Sequence, residues 1–109
     1  MDKDLREKEF SQQIEDLLKL FGWHWCHFRP ARTEYGWRTA LSGYQGFPDY
    51  IAVSGKRLLI LELKSEKGQV SPHQQEWLNL LAACGGNVEC YLWRPSDLDT
   101  IVEILNNAD

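Results

Sequence analysis

The sequence predicts an α/β domain in which a mixed sheet is flanked by helices. A helical pattern of apolar residues comes first, two apolar runs joined by a turn signal follow, and another apolar run lies between two further helical patterns. Segments that alternate in this way are typical of α/β domains, here in the order α-β-β-β-α-β-α. Because cores in chains of 109 residues rarely divide, we expect one domain over residues 1–109.

The first predicted helix spans residues 4–21 and ends at Gly22. Its apolar residues recur at the spacing of one helix face: Phe10, Ile14, Leu17, Leu18 and Phe21. Aromatic residues in the segment 23–29 favour a strand. Residues 32–46 contain three glycines and show no clear period, so we expect a long loop there.

Two apolar runs, at residues 49–53 and 57–63, are joined by Ser54-Gly55-Lys56. A short polar connection that contains glycine is a strong signal for a β-hairpin. The sequence therefore predicts two adjacent antiparallel strands in the centre of the chain.

The remaining elements are a helix, a strand and a last helix. Ser71 and Pro72 suit the N-cap and the first position of the second helix. Residues 88–93 favour a strand, and we expect Ser96 to cap the last helix.

The net charge of −4 is unevenly distributed along the chain. Residues 24–67 carry seven Lys or Arg against four Asp or Glu, whereas the rest of the chain is acidic. A basic surplus of this kind indicates a nucleic-acid partner. Short segments often differ by as much, so charge alone leaves the partner open.

The cysteines and the absence of long apolar stretches predict a cytoplasmic protein. Cys26, Cys84 and Cys90 are odd in number and form no CxxC pair, as expected of free thiols in a reducing compartment. No stretch suits a signal peptide, and none approaches the roughly 18 apolar residues that a membrane span needs.

Charged residues at the rims of the central strands form the candidate active site. Glu62 and Lys64 lie two apart on one strand and share a face, and the hairpin places Asp49 near residue 61 or 62. Two close carboxylates repel each other unless a cation lies between them, and Mg²⁺ or Mn²⁺ suits such ligands. Lys64 would position or deprotonate an attacking water, or neutralise transition-state charge. The alternative is a surface Glu62–Lys64 ion pair with Asp49 as a turn cap.

These residues resemble a known signature. Pro48-Asp49 followed by Glu62-Leu63-Lys64 resembles the PD-(D/E)XK nuclease motif. The chain is more closely similar to the VRR-NUC (virus-type replication-repair nuclease) branch, in its stand-alone phage or prophage form. That resemblance rests on Gly46-Phe47-Pro48-Asp49, Glu62-Leu63-Lys64-Ser65, Ser71-Pro72-His73-Gln74 with Trp77, and residues 88–95.

The resemblance implies a restriction-endonuclease-like core and a set of site residues. Asp49 and Glu62 would bind Mg²⁺ or Mn²⁺ with the backbone carbonyl of Leu63, and Lys64 would be catalytic. The family also has a glutamine at the start of the second helix, which Gln74 matches, and a glutamate on the first helix.

Three glutamates are candidates for the first-helix acid. Helical phase places Glu7 on the apolar face with Phe10, whereas Glu9 lies opposite that face and Glu15 lies beyond its edge. An acid on an apolar stripe needs a partner, which a metal site provides. We therefore expect Glu7 to join the site, directly or through water, with Glu15 as the alternative.

The resemblance further implies a structure-specific DNA endonuclease acting in replication, repair or recombination. A homodimer would present two active sites to the two strands of a four-way (Holliday) junction. We expect it to work in a bacterial or phage-infected cytoplasm. Five residues are predicted to contact the DNA: His27, Arg29, Arg32, Arg38 and Lys67.

Three other interpretations stay open at this point. His24, Cys26 and His27 suggest zinc, but no second ligand pair follows at a suitable spacing. The chain could be a non-catalytic nucleic-acid-binding or assembly module that retains the fold. It could also be a nuclease that cuts flaps or unbranched duplex.

Overall fold

The computed structural model describes the backbone of residues 6–28, 31–33, 36–38 and 42–106, and side chains outside the segment 29–41. Its elements are α1 (Glu7–Leu20), β1 (His24–His27), β2 (Ala31–Thr33), β3 (Gly36–Arg38), β4 (Tyr50–Ser54), β5 (Arg57–Leu63), α2 (Pro72–Ala82), β6 (Val88–Trp93), a 3₁₀ helix (Pro95–Asp97) and α3 (Leu98–Asn106). No helix in these described segments is long and apolar enough to cross a membrane.

Four strands form a mixed sheet in the order β1-β4-β5-β6. The β1–β4 and β4–β5 pairs are antiparallel, whereas β5 and β6 run parallel. The chain crosses from β5 to β6 through α2, as a parallel pair requires a crossover connection. The predicted α/β class, the mixed sheet and the order of its elements are confirmed.

A second, two-stranded sheet pairs β2 with β3. The prediction of a continuous loop over residues 32–46 is therefore wrong in its first part. Two strands of three residues each are too short to produce an alternating pattern that the sequence could reveal. Of the rest of the predicted loop, the structure describes residues 42 onward, and residues 42–49 form an irregular segment that leads into β4.

The hydrophobic core lies between the sheet and the helices α1 and α3. Alternate residues of a strand point to opposite faces. Leu59, Leu61 and Leu63 therefore join Phe10 of α1 and Ile101 of α3, and all five are fully buried. The intervening Glu62 faces α2, where the Gln74 side chain reaches it. Fully burying a Leu side chain contributes roughly 1.5–3 kcal/mol, so this hairpin is firmly held.

The second helix begins as the sequence predicts. The backbone N of Gln74 donates to Ser71 Oγ over 3.1 Å, and the backbone N of Ser71 donates to Gln74 Oε1 over 2.9 Å. This reciprocal pair is a capping box with Pro72 at the first helical position. The box fixes the Gln74 side chain at the start of α2.

The last helix begins differently from the prediction. Ser96 lies inside the 3₁₀ helix, and its hydroxyl bonds to Glu66 over 2.7 Å rather than capping α3. Asp97 contributes to the cap of the 3₁₀ helix, because its carboxylate accepts from Arg94 N over 2.9 Å. The extra turn connects β6 to α3 and brings Arg94 and Ser96 close to the chain that follows β5.

Candidate active site

Asp49 and Glu62 lie opposite each other at one end of the central hairpin. The register pairs Tyr50 with Leu61, so the next position places Asp49 across from Glu62, on the same face of the sheet. Leu63 N donates to Asp49 Oδ2 over 3.2 Å. Because the N–H and C=O of a strand residue point to the same side, the Leu63 carbonyl also faces the Asp49 side of β5.

Glu62 is almost completely buried, with 1% of its surface exposed. Its Oε2 accepts from Gln74 Nε2 over 3.3 Å and lies 3.7 Å from Lys64 Nζ. No described residue donates a hydrogen bond to its buried Oε1. Leaving a buried charged oxygen without a partner costs on the order of 1–3 kcal/mol or more.

Both carboxylates bind a proton more readily than an exposed acid does. Burial, followed by the charge of Asp49, raises the pKa of Glu62 to about 8. Burial also raises the pKa of Asp49, against the lowering effect of the Leu63 N–H. Without a cation the pair therefore retains a proton near neutral pH.

This donor set fits a hard divalent cation. A cation would satisfy the unpartnered Glu62 Oε1 and replace the proton that Glu62 otherwise retains. Mg²⁺ typically binds through one or two carboxylates and keeps several waters. Within the described residues, no three His, Cys, Asp or Glu side chains form a metal-binding cluster. The site thus offers two carboxylates and a neighbouring main-chain oxygen, and leaves the other positions to water.

Glu7 lies at the edge of this pair, and Glu15 does not. Burial and the charge of Asp49 raise the pKa of Glu7, while Lys64 lowers it, so its carboxylate acts on both residues. Glu15 instead accepts from the Tyr50 hydroxyl over 2.5 Å and lies 3.1 Å from His27 Nδ1. Of the two, Glu7 is the acid whose charge acts on the pair, from an exposed position in the first turn of α1. Its role as the first-helix acid stays a prediction.

Sequence reasoning missed the buried network around Tyr50. The Tyr50 hydroxyl contacts Glu15 and Ser11, and its ring stacks on His27 with centroids 4.0 Å apart. Glu7, Ser11 and Glu15 recur every four residues and share one face of α1. This polar stripe on α1 was the signal that could have indicated the network, because the residue that it contacts, Tyr50, directly follows Asp49.

The predicted DNA-contacting residues are only partly covered by the described side chains. His27 lies close enough to Asp49 for its charge to lower the pKa of that carboxylate. Lys67 is exposed beside Lys64 in the turn after β5. Arg29 lies outside the described residues, as do the side chains of Arg32 in β2 and Arg38 in β3. The role of all five in binding DNA stays a prediction.

The zinc alternative receives no support from the geometry. His24 and Cys26 are exposed on one face of β1, and the alternation of the strand turns His27 to the other face. These three side chains therefore do not converge on one point.

Sequence reasoning also missed how the segment before Asp49 is held on α2. Trp77 Nε1 donates to the carbonyls of Tyr44 and Gln45 over 3.3 and 3.0 Å. A Cβ on Gly46 would lie 2.8 Å from His73 Cβ, so only glycine allows this approach. The resemblance already includes Gly46 and Trp77, but the sequence did not reveal their contacts.

The mixed sheet, its crossover helix and its flanking helices are a nuclease-type fold of the PD-(D/E)XK class. The family model described as the VRR-NUC domain matches residues 30–92, and the chain belongs to that family. A search of the curated proteins finds no match. A solved structure titled "VRR_NUC domain protein" is similar, with a TM-score of 0.63 and 18% identity over 97% of this chain and 89% of that chain. At this identity the similarity shows the shared fold.

Proposed function

We propose that this protein is a Mg²⁺- or Mn²⁺-dependent endonuclease that hydrolyses phosphodiester bonds in DNA. The observation that carries the proposal is the Asp49–Glu62 pair, whose buried Glu62 Oε1 has no donor among the described residues. Membership of the VRR-NUC family supplies the nuclease-type fold around that pair.

Asp49 and Glu62 would hold the cation, with the Leu63 carbonyl as a main-chain ligand. When bound, the cation neutralises phosphate charge and lowers the pKa of a water molecule. Gln74 fixes Glu62 Oε2 by its hydrogen bond, so the carboxylate keeps one orientation. Glu7, whose carboxylate interacts with the charges of Asp49 and Lys64, would orient water at the edge of the pair.

Lys64 acts on the phosphate itself. Its ammonium lies 3.7 Å from Glu62 Oε2 and is mostly buried, so its charge is only weakly screened. There it stabilises the negative charge that develops on the phosphoryl oxygens, or orients the attacking water. The water oxygen bonds to phosphorus and the P–O3′ bond breaks, so the products carry a 5′-phosphate and a 3′-hydroxyl.

We further propose that the substrate is branched DNA, foremost a four-way junction, in replication, repair or recombination. The resemblance to stand-alone phage and prophage domains supports this choice, as does the basic surplus in residues 24–67. A homodimer would place one active site on each of two strands. Three unpaired cysteines suit a reducing cytoplasm.

A gel assay tests the proposal directly. Purified protein is incubated with duplex, flap, fork and four-way junction DNA, in Mn²⁺ or in EDTA. We expect cleavage in Mn²⁺ only, with the four-way junction preferred, and its loss in Asp49→Asn and Glu62→Gln. The matched control is Asp99→Asn, which alters an exposed acid on α3.

Two results would overturn parts of the proposal. Folded Asp49→Asn protein that cuts at the wild-type rate would exclude the metal-dependent mechanism. A monomer at micromolar concentration, or a preference for flaps, would exclude junction resolution while leaving the nuclease intact. Calorimetric titration with Mn²⁺ separates an enzyme from a binding module, which would show no site that depends on Asp49.

A further inference from the structure

The chain makes a tight turn immediately after β5. The parallel ladder with β6 ends where Lys64 N donates to the Trp93 carbonyl over 3.0 Å. Gly68 N then donates to the Ser65 carbonyl over 3.1 Å, which closes the 65–68 turn. Lys64 directly precedes this turn and Lys67 lies inside it, so a shift of the turn would move the backbone that carries both side chains.

One arginine side chain donates hydrogen bonds to three carbonyl groups of this turn. Arg94 Nη1 donates to the carbonyl oxygens of Ser65, Glu66 and Gly68 over 2.7, 3.2 and 2.8 Å. Hydrogen bonds from a charged donor are roughly twice as strong as neutral ones. Because Arg94 follows the buried Trp93 at the end of β6, the guanidinium extends from a rigid part of the sheet.

A second contact ties the same turn to the following 3₁₀ helix. The Glu66 carboxylate accepts from Ser96 N over 2.9 Å and from Ser96 Oγ over 2.7 Å. The turn is therefore held against the residues after β6 in two ways. Its backbone carbonyls bond to Arg94, and the Glu66 side chain bonds to Ser96.

We propose that Arg94 is a positioning residue for the nuclease reaction, holding the 65–68 turn so that Lys64 and Lys67 meet the phosphates at the scissile position. The inference rests on the proposed function and extends it to a residue outside the metal site. Arg94 directs its guanidinium at main-chain carbonyls, so its contribution passes through the two lysines and not through a contact with DNA.

Lysine cannot replace Arg94 in this role. All three acceptors bond to Nη1, which the rigid guanidinium plane holds one bond further from the backbone than a lysine Nζ reaches. An ammonium is a compact, strongly hydrated point charge on a flexible stem and would not hold the same three oxygens in place. Arg94→Lys therefore keeps the charge but loosens the turn.

The test compares Arg94→Lys and Arg94→Gln with the control Arg57→Lys. Arg57 pairs with Glu89 at the far end of β5, away from the turn. We expect both Arg94 variants to lose kcat about 10- to 100-fold, as misplaced catalytic groups do. Because Asp49 and Glu62 are not attached to the turn, Mn²⁺ affinity measured by calorimetry should stay within about twofold of wild type.

The salt dependence of DNA binding distinguishes positioning from direct contact. Each phosphate contact contributes about 0.9 to the slope of log K against log salt. We expect Arg94→Gln to keep the wild-type slope, whereas Lys67→Gln should lower it by about one contact. A lower slope in Arg94→Gln would show a direct phosphate contact and overturn the proposal.

Other outcomes are equally decisive. Wild-type kcat in Arg94→Lys, or a loss of Mn²⁺ affinity that parallels the loss of kcat, overturns the positioning role. If both Arg94 variants fail to fold, Ser96→Ala loosens the exposed side of the turn and should lower kcat with unchanged Mn²⁺ affinity; wild-type kcat in that variant overturns the proposal. A wild-type protein that never cuts DNA in Mn²⁺ instead refutes the proposed function.

Discussion

Gln74 Nε2 donates a 3.3 Å hydrogen bond to Glu62 Oε2, while no described residue donates to Glu62 Oε1. The protein therefore fixes one oxygen of this buried carboxylate and leaves the other to an external ligand. In the absence of a cation that ligand is a proton, since burial and Asp49 raise the pKa of Glu62 to about 8. A proton and a metal ion therefore compete for the Glu62 carboxylate.

In EDTA, the folded state should lose stability as pH rises. The pKa of Glu62 is raised from 4.5, so folding is favoured while Glu62 keeps its proton; this contribution is complete below pH 4.5 and is lost as pH rises through about 8. Glu62→Gln removes the titration and keeps a donor toward Asp49. We expect the variant to be more stable than wild type in EDTA above about pH 8, by a few kcal/mol. Urea unfolding at several pH values measures the difference. If the free energies of unfolding of wild type and Glu62→Gln changed in parallel with pH, the prediction would be contradicted.

Stabilisation by Mn²⁺ should increase with pH over the same interval. A cation binds the ionised carboxylates and must displace the proton of Glu62, so its apparent affinity rises as Glu62 deprotonates. At fixed Mn²⁺, the rise in Tm should be larger at about pH 8.5 than at about pH 6. The control is Asp49→Asn, which should show little Mn²⁺-dependent rise at either pH. A pH-independent rise in wild type would contradict the assignment.

The fold was predictable because its elements obey local rules. The hairpin around Gly55 and the capping box of Ser71 are encoded within a few residues, and both form as predicted. The β2–β3 pair was not predictable, because three-residue strands lack a period. Ser96 was misjudged as a cap because its hydroxyl bonds to Glu66, thirty positions away in the chain.

The candidate site was predictable where strand alternation decides it. Asp49, Glu62 and Lys64 needed only the hairpin register to be brought together. The pairing of Glu15 with Tyr50 joins a helix to a strand through the core, and no local pattern encodes it. The hydrogen bonds from Arg94 to the 65–68 turn likewise depend on the β5–β6 crossover, which no local pattern encodes.

The two first-helix glutamates should separate metal binding from stability. Glu15 bonds to Tyr50 and His27 inside the protein, whereas Glu7 lies at the Asp49 edge. We expect Glu15→Gln to cost about 1–3 kcal/mol of folding free energy because it weakens a charged buried network, with Mn²⁺ affinity almost unchanged. Glu7→Gln should instead leave stability near wild type and lower the cleavage rate. Urea unfolding, Mn²⁺ calorimetry and the cleavage assay measure these effects, and the reverse pattern would make Glu15 the site acid.

Gln74→Glu should shift the pH dependence of cleavage upward. The carboxylate oxygen still accepts from Ser71 N, so the capping box and the start of α2 are retained. The donor to Glu62 becomes a like charge, which raises the pKa of Glu62 further. We expect the acidic limb of the pH–rate profile to move to higher pH with little change in Tm. The control is Gln75→Glu, on an exposed position of the same helix turn; an equal shift in both variants would remove the special role of Gln74.

Gly46→Ala should disturb the site through the backbone that leads to Asp49. Gly46 has a φ of +94°, and an added Cβ would come within 2.8 Å of His73 Cβ and of the His73 carbonyl carbon. Gly43 has a φ of +99° but nothing within 4 Å of its added Cβ, so Gly43→Ala is the matched control. Both variants should lose about 1–3 kcal/mol from backbone strain. Only Gly46→Ala should also push the 42–49 segment away from Gln74 and lower both Mn²⁺ affinity and cleavage. Thermal unfolding and Mn²⁺ titration of the pair measure this, and equal Mn²⁺ affinity in the two variants would show that the close packing on α2 does not position Asp49.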